Sequence, residues 1–380
     1  MPPATFRLFS SATILALALV SCSQQNNADQ ATPPSLKAAV GDRFTIGAAA
    51  SAPQIATPDS QAVRILTTHF NSIVAENCMK CEVIHPHPDT YDFAGADSIV
   101  AFAQENDMEL IGHCLLWHSQ MAPWFCVDSL GGNVSPEVLR QRIRDHIYTI
   151  VGRYKGKVRG WDVCNEVIVE DGSYRQSPLY QILGSEFIFD ALRFANEADP
   201  DAELYLNDYG MTAPGRRDAY LALIDSIKAR GLRIDAIGMQ GHMGIDYPTV
   251  DEFEQSMLAF AGKQVGVMVT EWDMSILPTV STSANISDVA QARKEYDPYW
   301  PNAVPDSIAE TWNNRMASFW NLFLKHSDIL RRVTAWGVTD ASSWKNDFPV
   351  PGRHDEPLLF DRQGQPKPFI KEFINKECNK

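Results

Sequence analysis

The sequence predicts an α/β protein, a single (β/α)8 TIM barrel. From Phe44 onward, eight short apolar runs alternate with longer amphipathic patterns, and this alternation is typical of βα units that build a parallel sheet. Most of the runs end in polar or aromatic residues, as expected where the carboxyl ends of barrel strands form one rim. A length of 380 residues with 45% hydrophobic content fits one such domain.

The predicted strands are short runs of mainly apolar residues. They are Phe44–Ala48, Ser72–Ala75, Leu110–Leu116, Gly160–Cys164, Glu203–Leu206, Ala236–Gln240, Val265–Thr270 and Thr334–Val338. Amphipathic stretches lie between them and predict helices. These stretches are Ala94–Asn106, Pro136–Tyr154, Glu186–Ala198 and Arg216–Ala229. A final helix from Lys367 to Lys376 would close the barrel.

The N-terminus has the features of an export signal. Arg7 precedes an apolar run, Ile14–Val20, that is too short to span a membrane. Because Cys22 follows in a pattern that resembles a bacterial lipobox, we predict a lipoprotein signal peptide over 1–21 with lipidation of Cys22. An ordinary cleaved signal with an incidental cysteine is the alternative. Residues 22–35 are polar and predict a flexible tether, and 36–380 would form the (β/α)8 domain.

Charge and composition narrow the partners. The formal net charge is -14, which disfavours nucleic acid and anionic membrane surfaces. We therefore expect membrane contact only through a lipid on Cys22. The predicted signal would export the protein and hold it at the bacterial outer membrane or cell surface, and we expect a monomer. Cys78 and Cys81 form a lone C-x-x-C without a second pair, so no zinc site is expected. We predict no metal and no cofactor, and we assign no disulfide.

Two glutamates carry the predicted chemistry. Retaining cleavage of a glycosidic bond needs one carboxylate to attack the anomeric carbon and one carboxyl to protonate the leaving oxygen. Glu166 and Glu271 each follow an apolar run, on the predicted fourth and seventh strands, and both would point into the cleft at the rim. The residue pattern therefore favours Glu166 as acid/base and Glu271 as nucleophile.

Three further residues would support the two glutamates. Asn165 immediately precedes Glu166, where its amide can bind a sugar hydroxyl beside the reacting carbon. Asp273 lies two residues after Glu271, on the same strand face, and His242 follows the adjacent strand. We expect His242 to hold the Glu271 carboxylate and Asp273 to orient His242, which would keep the nucleophile ionised.

Seven ordered segments resemble glycoside hydrolase family 10, the xylanase family of (β/α)8 barrels. The resemblance runs from Phe44 to about Phe369. The segments are Phe70–Lys80 (FNSIVAENCMK), Gly112–Gln120 (GHCLLWHSQ), Trp161–Glu166 (WDVCNE), Leu206–Tyr209 (LNDY), Ile237–His242 (IGMQGH), Thr270–Asp273 (TEWD) and Trp336–Asp340 (WGVTD). The resemblance implies an endo-β-1,4-xylanase that acts on xylan and xylo-oligosaccharides, with Glu166 and Glu271 in the roles given above.

The resemblance also implies residues that bind the sugar chain. Those on the non-reducing side and at the cleavage point would be Glu76, Asn77, Lys80, His113, Trp117, Gln120, Asn165, Gln240, His242, Trp336 and Trp344, and Tyr209 would border the leaving-group side. Aromatic faces stack on sugar rings, while amide and charged groups bind ring hydroxyls.

The sequence departs from the family pattern at three places. Trp272 stands where leucine is usual, and strand alternation points its side chain away from the cleft, so we expect altered packing without loss of activity. Cys164 replaces a common valine. The segment Leu277–Pro305 is longer than in compact members and contains four prolines, so the leaving-group subsites cannot be carried over, although so long a connection is usually functional.

Two other functions remain open. The same fold and site would serve a β-1,4-glucanase if the cleft accommodates the hydroxymethyl group of glucose. A lipoprotein that binds glycans without cleaving them would keep the barrel alone, although both carboxylates and their supporting residues are present. Release of sugars from xylan would distinguish an enzyme from such a glycan-binding protein.

Overall fold

The computed structural model describes residues 34–278, 296–299 and 302–380. Eight parallel strands follow one another in chain order around a ring, which closes where Ala236–Met239 pairs with Gly266–Met274. The strands are β1 Thr45–Ala50, β2 Ser72–Ala75, β3 Glu109–Trp117, β4 Gly160–Asn165, β5 Glu203–Asp208, β6 Ala236–Met239, β7 His242–Met243, β8 Gly266–Met274 and β9 Leu330–Ala335. The predicted (β/α)8 TIM barrel is confirmed.

The short strand β7 extends the rim above β6. After Gln240 and Gly241 the chain pairs again with β8, with His242 opposite Asp273. The predicted eighth strand, Thr334–Val338, was placed four residues too late at its start, because β9 begins at Leu330. Two consecutive arginines obscured this start, and Arg332 is nevertheless buried with its guanidinium 5.5 Å from the Tyr205 ring centroid.

The helices surround the barrel. Their bounds are α1 Leu36–Val40, α2 Ala52–Ile55, α3 Gln61–His69, α4 Cys81–Ile84, α5 Ala94–Glu105, α6 Pro136–Arg153, α7 Pro178–Leu183, α8 Glu186–Ala198, α9 Pro214–Ala229, α10 Val250–Ala261, α11 Asp306–Lys325 and α12 Pro368–Cys378. Side-chain caps explain several starts: Ser135 accepts from Val138 at α6, and Thr249 forms a capping box with Glu252 at α10.

The hydrophobic core has two parts. The larger lies between the helices and the outer face of the barrel, and there Trp272 packs against Trp320, Phe323 and Phe369. The predicted orientation of Trp272, away from the cleft, is therefore observed. The smaller part fills the barrel interior beneath the rim and ends at Trp336. Packing on both faces holds the strand ends in fixed positions.

Some predictions fall on residues outside the described part of the chain. These are the signal peptide, lipidation at Cys22, nearly all of the tether, and most of the segment 277–305. Within the described ranges, no helix is long and apolar enough to cross a membrane. The six cysteines of the described part are all unpaired.

Candidate active site

The two candidate catalytic glutamates lie at the carboxyl ends of barrel strands. Glu166 directly follows β4, while Glu271 belongs to the last half of β8. Both side chains are buried, with 6% and 4% of the residue surface exposed respectively. Since parallel strands present their carboxyl ends at the same rim, the fold brings both carboxyl groups to one cleft.

Both oxygens of Glu271 are bound. The Nδ2 of Asn207 donates to Oε1 at 2.7 Å, and the Nε2 of His242 lies 3.1 Å from Oε2. On the other side of the ring, the Nδ1 of His242 lies 2.9 Å from Oδ2 of Asp273. The contacts expected between these three side chains are present, and they fix the direction of the Glu271 carboxylate.

The same contacts set the charge of this group. Burial alone lowers the pKa of His242, but the Asp273 carboxylate and the hydrogen bonds to Asp273 and Glu271 raise it to about 9. Burial also favours a protonated Glu271, yet the hydrogen bond from His242 and the nearby imidazoles hold the pKa of Glu271 below its usual value. At neutral pH the arrangement is therefore an imidazolium between two carboxylates.

The side-chain amides of Asn165, Asn207 and Gln240 lie between the two glutamates. Asn207 contacts Asn165 at 3.0 Å as well as Glu271, and the Nε2 of Gln240 donates to Oε1 of Glu166 at 3.1 Å. The hydroxyl of Thr270 donates to Oδ1 of Asn207 at 2.5 Å, so the amide nitrogen faces the Glu271 carboxylate. A Cβ at position 238 would lie 2.4 Å from that Oδ1, which explains the glycine there.

Glu166 is held differently. Its φ of 58° is in the left-handed region, which is uncommon for a residue with a side chain. Its Oε2 is buried and has no hydrogen-bond partner among the described residues. The Nδ1 of His118 lies 3.8 Å from this oxygen. Burial, with a smaller contribution from the charge of Arg175, lowers the pKa of His118 to about 4, so His118 is neutral at neutral pH.

Four of the residues expected to bind the sugar, Asn77, Lys80, Trp117 and Gln120, form one cluster. The Nζ of Lys80 donates to Oδ1 of Asn77 at 2.9 Å and to Oε1 of Gln120 at 2.8 Å, and it lies 4.8 Å from the Trp117 ring centroid. Burial raises the pKa of Glu76, opposed by the charge of Lys80. The cluster offers an aromatic face beside polar groups, an arrangement suited to a sugar ring.

Two indoles lie beside His242. The Trp336 ring centroid is 5.1 Å from His113 and 6.3 Å from His242, and Trp344 is 5.3 Å from His242. The Nε1 of Trp344 also donates to Oδ2 of Asp273 at 2.8 Å. Trp344 therefore contacts the buried polar group behind Glu271 as well as bordering the cleft.

Tyr209 lies on the Glu166 side of the site. Its hydroxyl accepts from Nη2 of Arg175 at 3.1 Å, and the guanidinium of Arg216 lies 4.3 Å from its ring centroid. The Nε of Arg175 donates to the carbonyl oxygen of Glu166 at 2.8 Å. Tyr209 and Glu166 thus share one arginine.

Several residues of the site received no predicted role from the sequence. They are Asn207, His118, Asp162, Arg175 and Lys345. Asn207 lies near the end of β5, within a polar cluster. Asp162 lies on β4, and its Oδ2 is 2.9 Å from the Nδ1 of His113. Their positions on strands could therefore have identified both residues. Arg175 and Lys345 lie in loops, where no periodicity indicates the direction of a side chain.

The polar groups at the rim do not form a metal site. Across residues 34–278, 296–299 and 302–380, no group of three or more histidine, cysteine or acidic side chains is arranged to hold a metal ion. The buried carboxylates bind amides and imidazoles instead.

The chain is similar to several characterised proteins over most of its length. Residues 35–376 match the model of glycosyl hydrolase family 10. Endo-1,4-beta-xylanase A of Xylanibacter ruminicola is 46% identical over 343 residues, which cover 90% of this chain and 93% of that protein. The thermostable celloxylanase of Thermoclostridium stercorarium is 36% identical over 356 residues, with coverages of 90% and 87%. A solved GH10 endoxylanase from a sugarcane soil metagenome has a TM-score of 0.84 at 37% identity and covers 90% and 99%.

Proposed function

The chain belongs to glycosyl hydrolase family 10, and from that premise we propose that it is an endo-β-1,4-xylanase that cleaves internal bonds of xylan with retention of configuration. The observation that carries the proposal is the unequal pair of buried glutamates at one rim. Glu271 is held ionised by His242, while Glu166 has an oxygen with no hydrogen-bond partner among the described residues. One group is suited to attack and the other to proton transfer.

The proposed reaction has two steps. In the first, Glu271 forms a bond to the anomeric carbon while Glu166 gives its proton to the departing glycosidic oxygen, and the leaving chain departs. In the second, the ionised Glu166 takes a proton from water, the water oxygen attacks the anomeric carbon, and the bond to Glu271 breaks. Two inversions restore the β configuration, and both glutamates return to their starting states.

The stereochemistry of the first product tests this mechanism. Proton NMR of xylohexaose hydrolysis, recorded before mutarotation, should show the β anomer first. The α anomer appearing first would exclude a glycosyl-enzyme on Glu271. If wild-type protein released no reducing sugar from xylan, the enzyme proposal would fail in favour of a glycan-binding protein.

A β-1,4-glucanase activity is the second candidate, and the similarity to a protein named celloxylanase favours testing it. Trp336 and Trp344 lie around His242, beside the position proposed for the sugar that Glu271 attacks. Xylose carries only hydrogens at carbon five, whereas glucose carries a hydroxymethyl group there. We infer that the two indoles restrict this space and that xylan is preferred.

The proposed envelope location rests on the sequence alone. We propose that 1–21 is a lipoprotein signal, that Cys22 carries the lipid, and that 22–35 tethers a monomeric catalytic domain, 36–380, at the outer membrane or cell surface. Native protein should then partition into detergent, and Cys22→Ala should move it to the soluble fraction with activity unchanged. A wild-type protein already soluble after export would contradict the lipid anchor.

A further inference from the structure

Arg175 connects the proposed acid/base to the other side of the cleft. It lies in the loop between β4 and α7, and its own N–H donates to the carbonyl of Val167 at 2.9 Å. Its Nε donates to the carbonyl oxygen of Glu166 at 2.8 Å, and its Nη2 donates to the Tyr209 hydroxyl at 3.1 Å. One guanidinium therefore holds the main chain of Glu166 and the tip of Tyr209 together.

The main chain of Glu166 needs such support. A residue with a side chain pays a steric cost in the left-handed region, and this conformation persists where surrounding contacts determine it. The N–H of Glu166 donates to Asn207 at 2.9 Å, and its carbonyl accepts from Arg175. With both peptide groups fixed, the Cα–Cβ bond has one direction, and that direction brings Oε2 to within 3.8 Å of His118.

We propose that Arg175 is a positioning residue for proton transfer. It fixes the backbone of Glu166 relative to Tyr209, which lies on the leaving-group side. The inference rests on the proposed function of Glu166. Arginine suits this position because its planar fork donates in two fixed directions, whereas one lysine ammonium is a compact point charge at the end of a flexible stem.

Leaving-group dependence distinguishes positioning from general stability. A substrate with a poor leaving group depends on the proton from Glu166, whereas dinitrophenol departs with little protonation. Arg175→Lys should therefore lower kcat/KM on xylotriose by at least about tenfold, within the range of about 10²–10⁴ that acid/base catalysis supplies. On dinitrophenyl β-xylobioside the loss should be less than about threefold, since attack by Glu271 is unaffected.

Arg142 provides a matched control. Its Nη1 donates to the carbonyls of Trp124, Phe125 and Val127 at 2.6, 3.1 and 2.9 Å. Like Arg175, it binds the main chain of a loop, but it contacts neither glutamate. Arg142→Lys should change kcat/KM on both substrates by the same factor. Tyr209→Phe removes one of the two acceptors of Arg175 and should give a smaller loss with the same substrate dependence.

Equal losses on both substrates in Arg175→Lys, or no loss at all, would overturn the positioning role while leaving the xylanase proposal intact. If Arg175→Lys does not fold, Tyr209→Phe decides the matter by the ratio of losses on phenyl and dinitrophenyl β-xylobioside, because neither leaving group is a sugar that Tyr209 could bind. Failure of the proposed function itself would be seen separately, as absence of wild-type activity on xylan.

Discussion

The two glutamates of the cleft sit in contrasting surroundings. Both oxygens of Glu271 are bound, and behind it His242, Asp273 and Trp344 form an unbroken series of contacts between 2.8 and 3.1 Å. Glu166 has a left-handed backbone, one oxygen bound by Gln240, and a second oxygen 3.8 Å from His118. One carboxyl group is fully constrained through its side chain and the other mainly through its backbone.

The difference corresponds to the two proposed tasks, nucleophilic attack by Glu271 and proton transfer by Glu166. A nucleophile has to remain ionised and aimed, which is favoured by hydrogen bonds to every lone pair that does not attack. A general acid that becomes a general base has to lose and regain a proton in each turnover, so one oxygen needs to stay free for substrate and water. Constraint from the side chain suits the first task, and constraint from the backbone suits the second.

Removal of each carboxyl group is the most severe test of this contrast. Glu271→Ala should lower activity on every substrate by more than the roughly 10²–10⁴-fold that is typical of lost acid/base catalysis, because no covalent intermediate can form. Glu166→Ala should retain the first step on dinitrophenyl β-xylobioside, and azide should restore turnover with a β-glycosyl azide product. Equal losses on activated and natural substrates would remove the distinction between the two roles.

The support behind Glu271 should control the acid limb of activity. In Asp273→Asn, His242 loses the negative charge that raises its pKa to about 9, and a neutral imidazole favours an ionised Glu271 less. The acid limb of kcat/KM should therefore move to higher pH, with kcat lowered by about tenfold or more, as in the loss of a charge-assisted contact. A pH–rate profile with an unmoved acid limb would contradict the relay.

The raised pKa of His242 also predicts how the stability of the fold changes at alkaline pH. Because the pKa of His242 is raised above its unfolded value of about 6.5, its contribution to folding is fully present below that pH and is lost as pH rises through about 9. The depressed pKa of Glu271 acts in the opposite direction and is lost on acidification. Asp273→Asn should lower the thermal midpoint at pH 6 more than at pH 10, and an equal loss at both pH values would exclude this coupling.

Substrate preference should respond to the indoles on the nucleophile side. Overpacking by a hydroxymethyl group costs about 1 to 3 kcal/mol, which corresponds to roughly five- to 150-fold in kcat/KM. Wild type should therefore prefer an aryl xylobioside to the matching cellobioside, and Trp344→Ala should narrow the gap. Trp344→Phe keeps much of the ring but loses the bond to Asp273, so it should lower activity on both substrates. A wild-type preference for the cellobioside would assign the chain to the glucanase alternative.

A buried carboxyl on the acid/base side gives the smallest expected effect. Asp208 accepts from the hydroxyl of Tyr220 at 2.7 Å, and that hydroxyl accepts from the N–H of Val167, next to Glu166. Burial, partly offset by Arg216, raises the pKa of Asp208 to about 7. Its contribution to stability is therefore present below its unfolded value of about 3.9 and declines as pH rises through 7.

Asp208→Asn should consequently flatten the fall in thermal midpoint between pH 5 and pH 8, by a few degrees at most. Asn207, its neighbour, is not titratable and offers no such dependence. A mutant whose midpoint falls as steeply as that of wild type would show that Asp208 is not the group that titrates.

The sequence predicted the barrel well because its signal is repeated. Each strand is an apolar run with polar residues at its end, so eight weak patterns support one fold, and only the arginine-rich start of β9 concealed its place. The residues on strand ends, including His242 and Asp273, were predicted for the same reason, and the contacts between them are present although their roles stay predictions. Arg175 could not be found, because a loop carries no period and its contact with Glu166 depends on tertiary packing.

The indole of Trp344 restricts the evolutionary routes by which this cleft can widen. Its ring lies beside the proposed position of the sugar, while its Nε1 is a hydrogen-bond donor to Asp273. Replacement of Trp344 by a small residue would enlarge the space for the sugar and would also remove a hydrogen bond from the group that supports Glu271. At this position a broader substrate range would therefore come with a lower catalytic rate. We expect descendants that accept glucose to arise through a second change that supplies a new donor to Asp273, or through replacement of the neighbouring Trp336.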